Sequence, residues 1–118
     1  MGVCVLIVED DDDSRGMLGE LLTSMGHRVL EAADIHQALE CANTSNWDVA
    51  IIDLHLRGLD GCEVARRLRA CPRGRTPRLI ALTGFSDEAS RAAAREAGFD
   101  EFVVKPVFPE QLLGLLQR

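Results

Sequence analysis

No apolar stretch in the chain approaches the ~20 residues a membrane helix needs, and no basic segment precedes an apolar one near the start. Neither membrane insertion nor a secretory signal is therefore expected. Position 6, where myristoylation wants Ser or Thr, holds Leu6. The four cysteines, Cys4, Cys41, Cys62 and Cys71, show no C-x-x-C spacing, which speaks against a zinc site or a disulfide framework and for a reducing cytoplasm. Positive charge is in deficit, 13 Lys and Arg against 19 Asp and Glu for a net charge of −6, so direct nucleic-acid binding is not expected. The one basic stretch, Arg66, Arg67, Arg69, Arg73, Arg75 and Arg78, reads as solvated charge on a helix and the loop after it. Internal repeats, low-complexity segments and linkers are lacking, and Pro72 to Pro77 reads as a loop.

What is present suits a single domain over residues 1–118. The composition, 47% hydrophobic and 27% charged, is that of a soluble protein, and a chain of 118 residues buries roughly 65% of its unfolded surface. Continuous apolar runs of strand length occur at Val3 to Val8, Val49 to Ile52, Leu79 to Leu82 and Phe102 to Val104. Continuous rather than alternating runs suit parallel strands covered on both faces. A weaker run around Val29-Leu30, with polar flanks, reads as an edge strand.

Helical periodicity fills the gaps: Ser14 to Met25, Ile35 to Asn43, Cys62 to Ala70, Asp87 to Ala97 and Pro109 to Gln117. In the first of these, Met17, Leu18, Leu21, Leu22 and Met25 form one apolar stripe. Gly26 and Gly98 fall where a left-handed cap favours glycine, and Asp34, Asp60 or Gly61, Ser86 or Asp87, and Phe108-Pro109 fall near helix starts. The alternation is β-α five times over. Short right-handed crossovers then give a doubly wound open α/β sheet, in which ligands bind at the carboxyl ends of the strands.

Those ends carry the chemistry. The first run leads into Glu9-Asp10, the third strand into Asp53, the fourth into Thr83-Gly84 and the fifth into Lys105-Pro106. Two unit charges at 4 Å repel by about 4 kcal/mol at an effective dielectric of 20, so Glu9, Asp10 and Asp53 brought together call for a cation. An all-oxygen donor set suits Mg²⁺, with Lys105 as a second positive charge. Asp53 can then stay ionised and act as a nucleophile toward phosphorus, while Thr83 offers a hydroxyl to a phosphoryl oxygen and Gly84 leaves room and a backbone N–H. Asp12 and Asp13 read as helix-start acids that complement the helix dipole; Asp11 fits either role.

The segments Val5-Leu6-Ile7-Val8-Glu9-Asp10, Asp53-Leu54-x-Leu56 with Asp60-Gly61, Ala81-Leu82-Thr83-Gly84 and Val103-Val104-Lys105-Pro106 together resemble the receiver domain of two-component response regulators. The resemblance covers essentially the whole chain. It implies a flavodoxin-like (βα)5 fold with strand order 2-1-3-4-5, an order the handedness rules alone do not fix. It implies that Asp53 accepts a phosphoryl group from a phosphohistidine on a sensor histidine kinase or histidine phosphotransfer protein, with Mg²⁺ or Mn²⁺ as cofactor. Asp10 would bind the metal directly, Glu9 mainly through water, and His55 through its backbone carbonyl. Lys105 and Thr83 would hold phosphoryl oxygens. Chemistry beyond self-phosphorylation and slow self-hydrolysis is not implied.

The resemblance also implies a switch in which Thr83 moves toward the phosphoryl group and the aromatic at position 102 turns inward, with Phe102 lacking the hydroxyl of the commoner Tyr. A cis Lys105-Pro106 bond is usual in the family. Arg57 stands where the family usually has Pro, and His55 occupies a position that bears on how long the phosphoryl group survives. Segments around Thr83, Gly98 and Lys105 are most similar to receivers attached to hybrid sensor kinases, so the chain is expected either to stand alone or to be part of a fusion to a kinase or output domain, its oligomeric state left open. Three other readings compete. An aspartate-nucleophile phosphatase expects a second Asp where His55 stands; a flavin carrier needs a Ser/Thr/Gly-rich phosphate loop where Glu9 to Asp13 would repel phosphate; a vestigial interaction module has no need of a complete set of site residues.

Overall fold

A computed structural model of the chain describes residues 2–56, 59–70, 77–84 and 88–116. Strands β1 (Cys4–Val8), β2 (Arg28–Ala32), β3 (Val49–Asp53), β4 (Arg78–Thr83) and β5 (Glu101–Val104) form one parallel sheet in the order 2-1-3-4-5. Helices α1 (Asp12–Ser24), α2 (Ile35–Thr44), α3 (Gly61–Ala70), α4 (Glu88–Ala97) and α5 (Pro109–Leu116) alternate with them. Strand order reverses between β1 and β3, and their carboxyl ends open the crevice where the acids lie.

The continuous apolar runs are explained by burial from both sides. Leu6, Val8, Ala50, Ile52, Leu79 and Ala81 face α2, α3 and α4, whereas Val5, Ile7, Ile51, Ile80, Leu82 and Val103 face α1 and α5. The edge reading of β2 holds, since Arg28 and Glu31 on it are exposed.

Helix ends follow side-chain caps. Asp11 accepts the Ser14 N–H at 2.8 Å, which starts α1 at Asp12, two residues before the expected Ser14, and places Asp12 and Asp13 in its first turn. Asp34 caps α2 in the same way. Asp60 Oδ1 accepts the Cys62 N–H at 2.9 Å, and α3 begins one residue earlier than expected, at Gly61. Gly26 and Gly98 take positive φ of 93° and 102°, as their cap positions require. Asp87 and Gln117, expected in α4 and α5, and most of the Pro72 to Pro77 loop lie outside the described residues.

Three expectations need correction. Met17 is 71% exposed, so the α1 stripe buries only Leu22 fully and packs Leu18, Leu21 and Met25 partly. Arg69 and Arg78 are not solvated charges. Arg69 donates to the carbonyls of Gly98 and Pro77 and pairs with Asp100 at 2.7 Å, while Arg78 donates to the Leu115 carbonyl near the end of α5. Both are held by main-chain acceptors from segments distant in sequence, which local charge patterning cannot reveal. Arg66 and Arg67 are exposed as expected; Arg73 and Arg75 lie outside the described residues. A further feature, a two-residue antiparallel ladder joining His55–Leu56 to Leu59–Asp60, follows β3.

Candidate active site at the carboxyl edge of the sheet

Period-two alternation decides what meets at the edge. Glu9 continues the face of Val5 and Ile7, Asp53 that of Val49 and Ile51, and Lys105 that of Val103, so all three tips project on the α1/α5 side. Thr83 continues the face of Leu79 and Ala81, the side on which Phe102 packs. Register places Thr83 beside Val104, and its partner strand runs on into Lys105 through the Lys105 N–H donating to the Thr83 carbonyl at 2.7 Å. The Thr83 side chain is fully buried, and Gly84 next to it is exposed with nothing within 4 Å of where a Cβ would stand.

At the centre, Asp53 is 6% exposed. Its Oδ1 accepts the His55 N–H at 2.9 Å and its Oδ2 accepts Lys105 Nζ at 2.8 Å. Lys105 Nζ also lies 3.7 Å from Glu9 Oε1, across a cis Lys105-Pro106 corner of the chain. Ligand oxygens of Glu9, Asp10 and Asp53 all come within 4.8 Å of one another. Glu9 Oε2 is buried without a hydrogen-bond partner. An oxygen-only set with one unsatisfied buried carboxylate oxygen fits a hard divalent cation.

Electrostatics divide the two buried acids. Burial, then contact with the Asp53 carboxylate and its charge, pushes Glu9 up to about 7 against the opposing Lys105 charge. Burial pushes Asp53 up as well, but hydrogen bonding with Glu9, Lys105 and the His55 N–H prevails and holds it below the usual carboxylate range. Burial disfavours the Lys105 ammonium, yet Asp53 and Glu9 together raise it. The surroundings thus favour the protonated form of Glu9 and the ionised form of Asp53.

Sequence reasoning missed two contributors. Gly61 packs α3 onto the end of β3 so closely that a Cβ there would stand 2.4 Å from the Asp53 carbonyl oxygen. Arg15 reaches back from α1 to donate to the Glu9 carbonyl at 2.9 Å. The Asp60-Gly61 pair and an arginine five residues past the acids were the available signals. Beside the acids a groove of 570 Å³ runs between α1 and the Lys105 to Val107 segment, lined by Ser14, Met17, Leu18, Leu21 and Pro106 among others. The His55 N–H reaches the same edge, with the His55 side chain exposed; Arg57 lies outside the described residues. Burial foremost raises the Cys4, Cys41 and Cys62 thiols.

Known proteins are similar to this chain in sequence and fold. A 14.6 kDa protein of Leptolyngbya boryana is 34% identical over 114 residues, covering 97% of this chain and 87% of its own length. The transcriptional regulatory protein AfsQ1 of Streptomyces coelicolor is 40% identical over 105 residues, 87% of this chain but 44% of its own. The chain likewise spans 30% of the cyclic di-GMP phosphodiesterase response regulator RpfG of Xanthomonas campestris. Among solved structures, chemotaxis protein CheY4 of Vibrio cholerae superposes with a TM-score of 0.93 at 30% identity, covering 100% of this chain and 98% of that one. The receiver domain of sensor histidine kinase PA1611 of Pseudomonas aeruginosa, solved with a magnesium ion coordinated in its active site cleft, superposes with a TM-score of 0.89 at 33% identity and covers 100% and 97%. Residues 5–117 match the response regulator receiver domain family, and with the sheet order and the acid-lysine cluster already in place, the chain belongs to that family.

Proposed function

We propose that the chain is a phosphorylatable switch of a two-component phosphorelay, with Asp53 as phosphoacceptor. The observation that carries this reading is the ionised, nearly buried Asp53 carboxylate held between Lys105 Nζ and the His55 N–H. Its Oδ1 accepts the His55 N–H and its Oδ2 accepts Lys105 Nζ. One oxygen forms a bond to phosphorus as the P–N bond of a donor phosphohistidine breaks; the imidazole leaves with the electron pair and regains a proton. Lys105 neutralises the charge that gathers on the phosphoryl oxygens, and the Thr83 hydroxyl and Gly84 N–H receive them from the opposite face. Mg²⁺ or Mn²⁺, when bound, would neutralise the acids and the incoming phosphoryl group; Glu9, Asp10, Asp53 and the His55 carbonyl would hold it.

The donor is a sensor histidine kinase or a histidine phosphotransfer protein, and the apolar groove flanked by exposed Met17 gives such a partner a surface next to Asp53. On the other face, Thr83 and Phe102 form the switch, Ala81 being the register partner of Phe102. Arg91 lies over that ring at 5.0 Å from its centroid. No step requires turnover of a small-molecule substrate.

Incubation with acetyl phosphate and Mg²⁺ tests the assignment by intact mass. The wild type gains one phosphate and Asp53→Asn gains none; equal labelling of both removes Asp53 from the role.

A further inference from the structure

Arg15 lies outside the set of groups that touch the phosphoryl chemistry, yet its surroundings are those of a built part. Although it stands in the first turns of α1, only 17% of its side chain is exposed. Nη1 donates to the Glu9 carbonyl at 2.9 Å, Nη2 to Asp12 Oδ1 at 2.5 Å, and Nε lies 3.4 Å from Glu31 Oε1 on β2. One turn further along α1, Gly19 is buried, and a Cβ there would stand 3.2 Å from Glu31 Oε2, so the missing side chain is what lets the Glu31 carboxylate lie against the helix. The planar guanidinium, with donors in a fixed fork, can hold three acceptors in three directions at once.

The Glu9 carbonyl belongs to the same planar peptide as the Asp10 N–H, so its direction fixes how the two successive acids leave the chain. The other side of Glu9 is already fixed, its N–H donating to the Ala32 carbonyl at 3.0 Å. Glu9 is therefore pinned through its N–H by the end of β2 and through its carbonyl by an arginine that is itself anchored on β2. Two carboxylates engage the Arg15 charge, which leaves geometry as its contribution to the acids.

We propose that Arg15 is a positioning residue for the cation site: it orients the Glu9–Asp10 peptide so that both carboxylates converge with Asp53, and Asp12 and Glu31 aim it. This rests on the reading of the cluster as a Mg²⁺ site. Geometry and charge predict opposite signs, because taking a positive charge away from three acids would by itself tighten cation binding.

The test is an amide NMR titration with MgCl₂ on the whole chain, with urea unfolding midpoints measured in parallel. Arg15→Ala binds Mg²⁺ about tenfold more weakly than wild type, in line with the effect of removing a partner that orients a metal ligand. Arg15→Lys keeps the charge but offers one nitrogen for three acceptors, and it weakens binding too; being the milder change, it also covers the case in which Arg15→Ala does not fold. Glu31→Gln, on the exposed edge strand, weakens binding in the wild type and adds nothing in Arg15→Lys. Unchanged or tighter binding in Arg15→Lys, or an additive effect of Glu31→Gln, overturns the assignment. A wild type that binds no Mg²⁺ overturns the cation reading itself, a result separate from any ratio between variants.

Discussion

At the amino edge of the sheet, Asp48 Oδ2 accepts the Cys4 N–H at 2.9 Å, and Asp100 Oδ2 accepts the Leu79 N–H at 2.8 Å together with Arg69. At the carboxyl edge, Glu9, Asp10 and Asp53 crowd one another, one buried Glu9 oxygen has no partner, and Glu9 is pushed up to about 7, by burial first and then by Asp53. The residue type is the same and the outcome opposite. In a parallel sheet every strand starts at one edge, so unpaired N–H groups gather there and unpaired carbonyls at the other. Acids at the first edge are satisfied by the fold. Acids at the second meet acceptors, with Lys105 and the His55 N–H set against them and room for a cation or phosphoryl group.

The largest test of that contrast removes the resident cation. Lys105→Met should slow phosphoryl transfer from acetyl phosphate roughly 100-fold, the usual loss when one charge-stabilising donor goes. The same variant should bind Mg²⁺ more tightly, because a competing positive charge has left; weaker binding would mean that Lys105 shapes the site rather than balancing it. At the opposite edge, Asp100→Ala should cost about 1–3 kcal/mol in urea unfolding by orphaning the Leu79 N–H, with transfer unchanged. A large loss of transfer in that variant would break the separation between edges.

A pH series sharpens the comparison further. Between about 4.5 and about 7 the folded chain keeps on Glu9 a proton that the unfolded chain has released, so without metal, stability should fall as pH rises through that window. Asp53, held below its ordinary range, acts in the other sense and withdraws its contribution only as pH falls below that range. Glu9→Gln should flatten the fall above pH 4.5, and Mg²⁺ should reverse it in the wild type; a wild-type stability that climbs from pH 5 to 7 in EDTA would contradict the crowding. The smallest effect belongs to a region at neither edge. Arg91→Ala should cost about 0.5–1 kcal/mol, the value of an exposed cation–π contact, and move the Phe102 ring signals in NMR without altering the Asp53 labelling.

What could be read from the sequence follows the same division. Strands buried on both faces announce themselves as continuous apolar runs, and the chemistry directly after Val8, Ile52, Leu82 and Val104 made Glu9, Asp10, Asp53, Thr83 and Lys105 legible at once. The satisfied acids were not legible. Asp48 meets a main-chain N–H 44 residues away and Asp100 one 21 residues away, and a backbone donor carries no sequence signature. Arg69 looked like surface charge for the same reason, its acceptors being carbonyls of Gly98 and Pro77. Met17 fitted the helical stripe by spacing, yet it lies along the rim of the groove rather than beneath α1, a distinction of some tens of degrees that periodicity does not resolve. The start of α1 moved because Asp11, the residue whose role was open, became its cap.

Gly61 touches the end of β3 backbone to backbone, a Cβ's distance of 2.4 Å from the Asp53 carbonyl leaving no side chain between them. Any side chain at position 61 would have to displace α3 or the end of β3, and Asp53 with it.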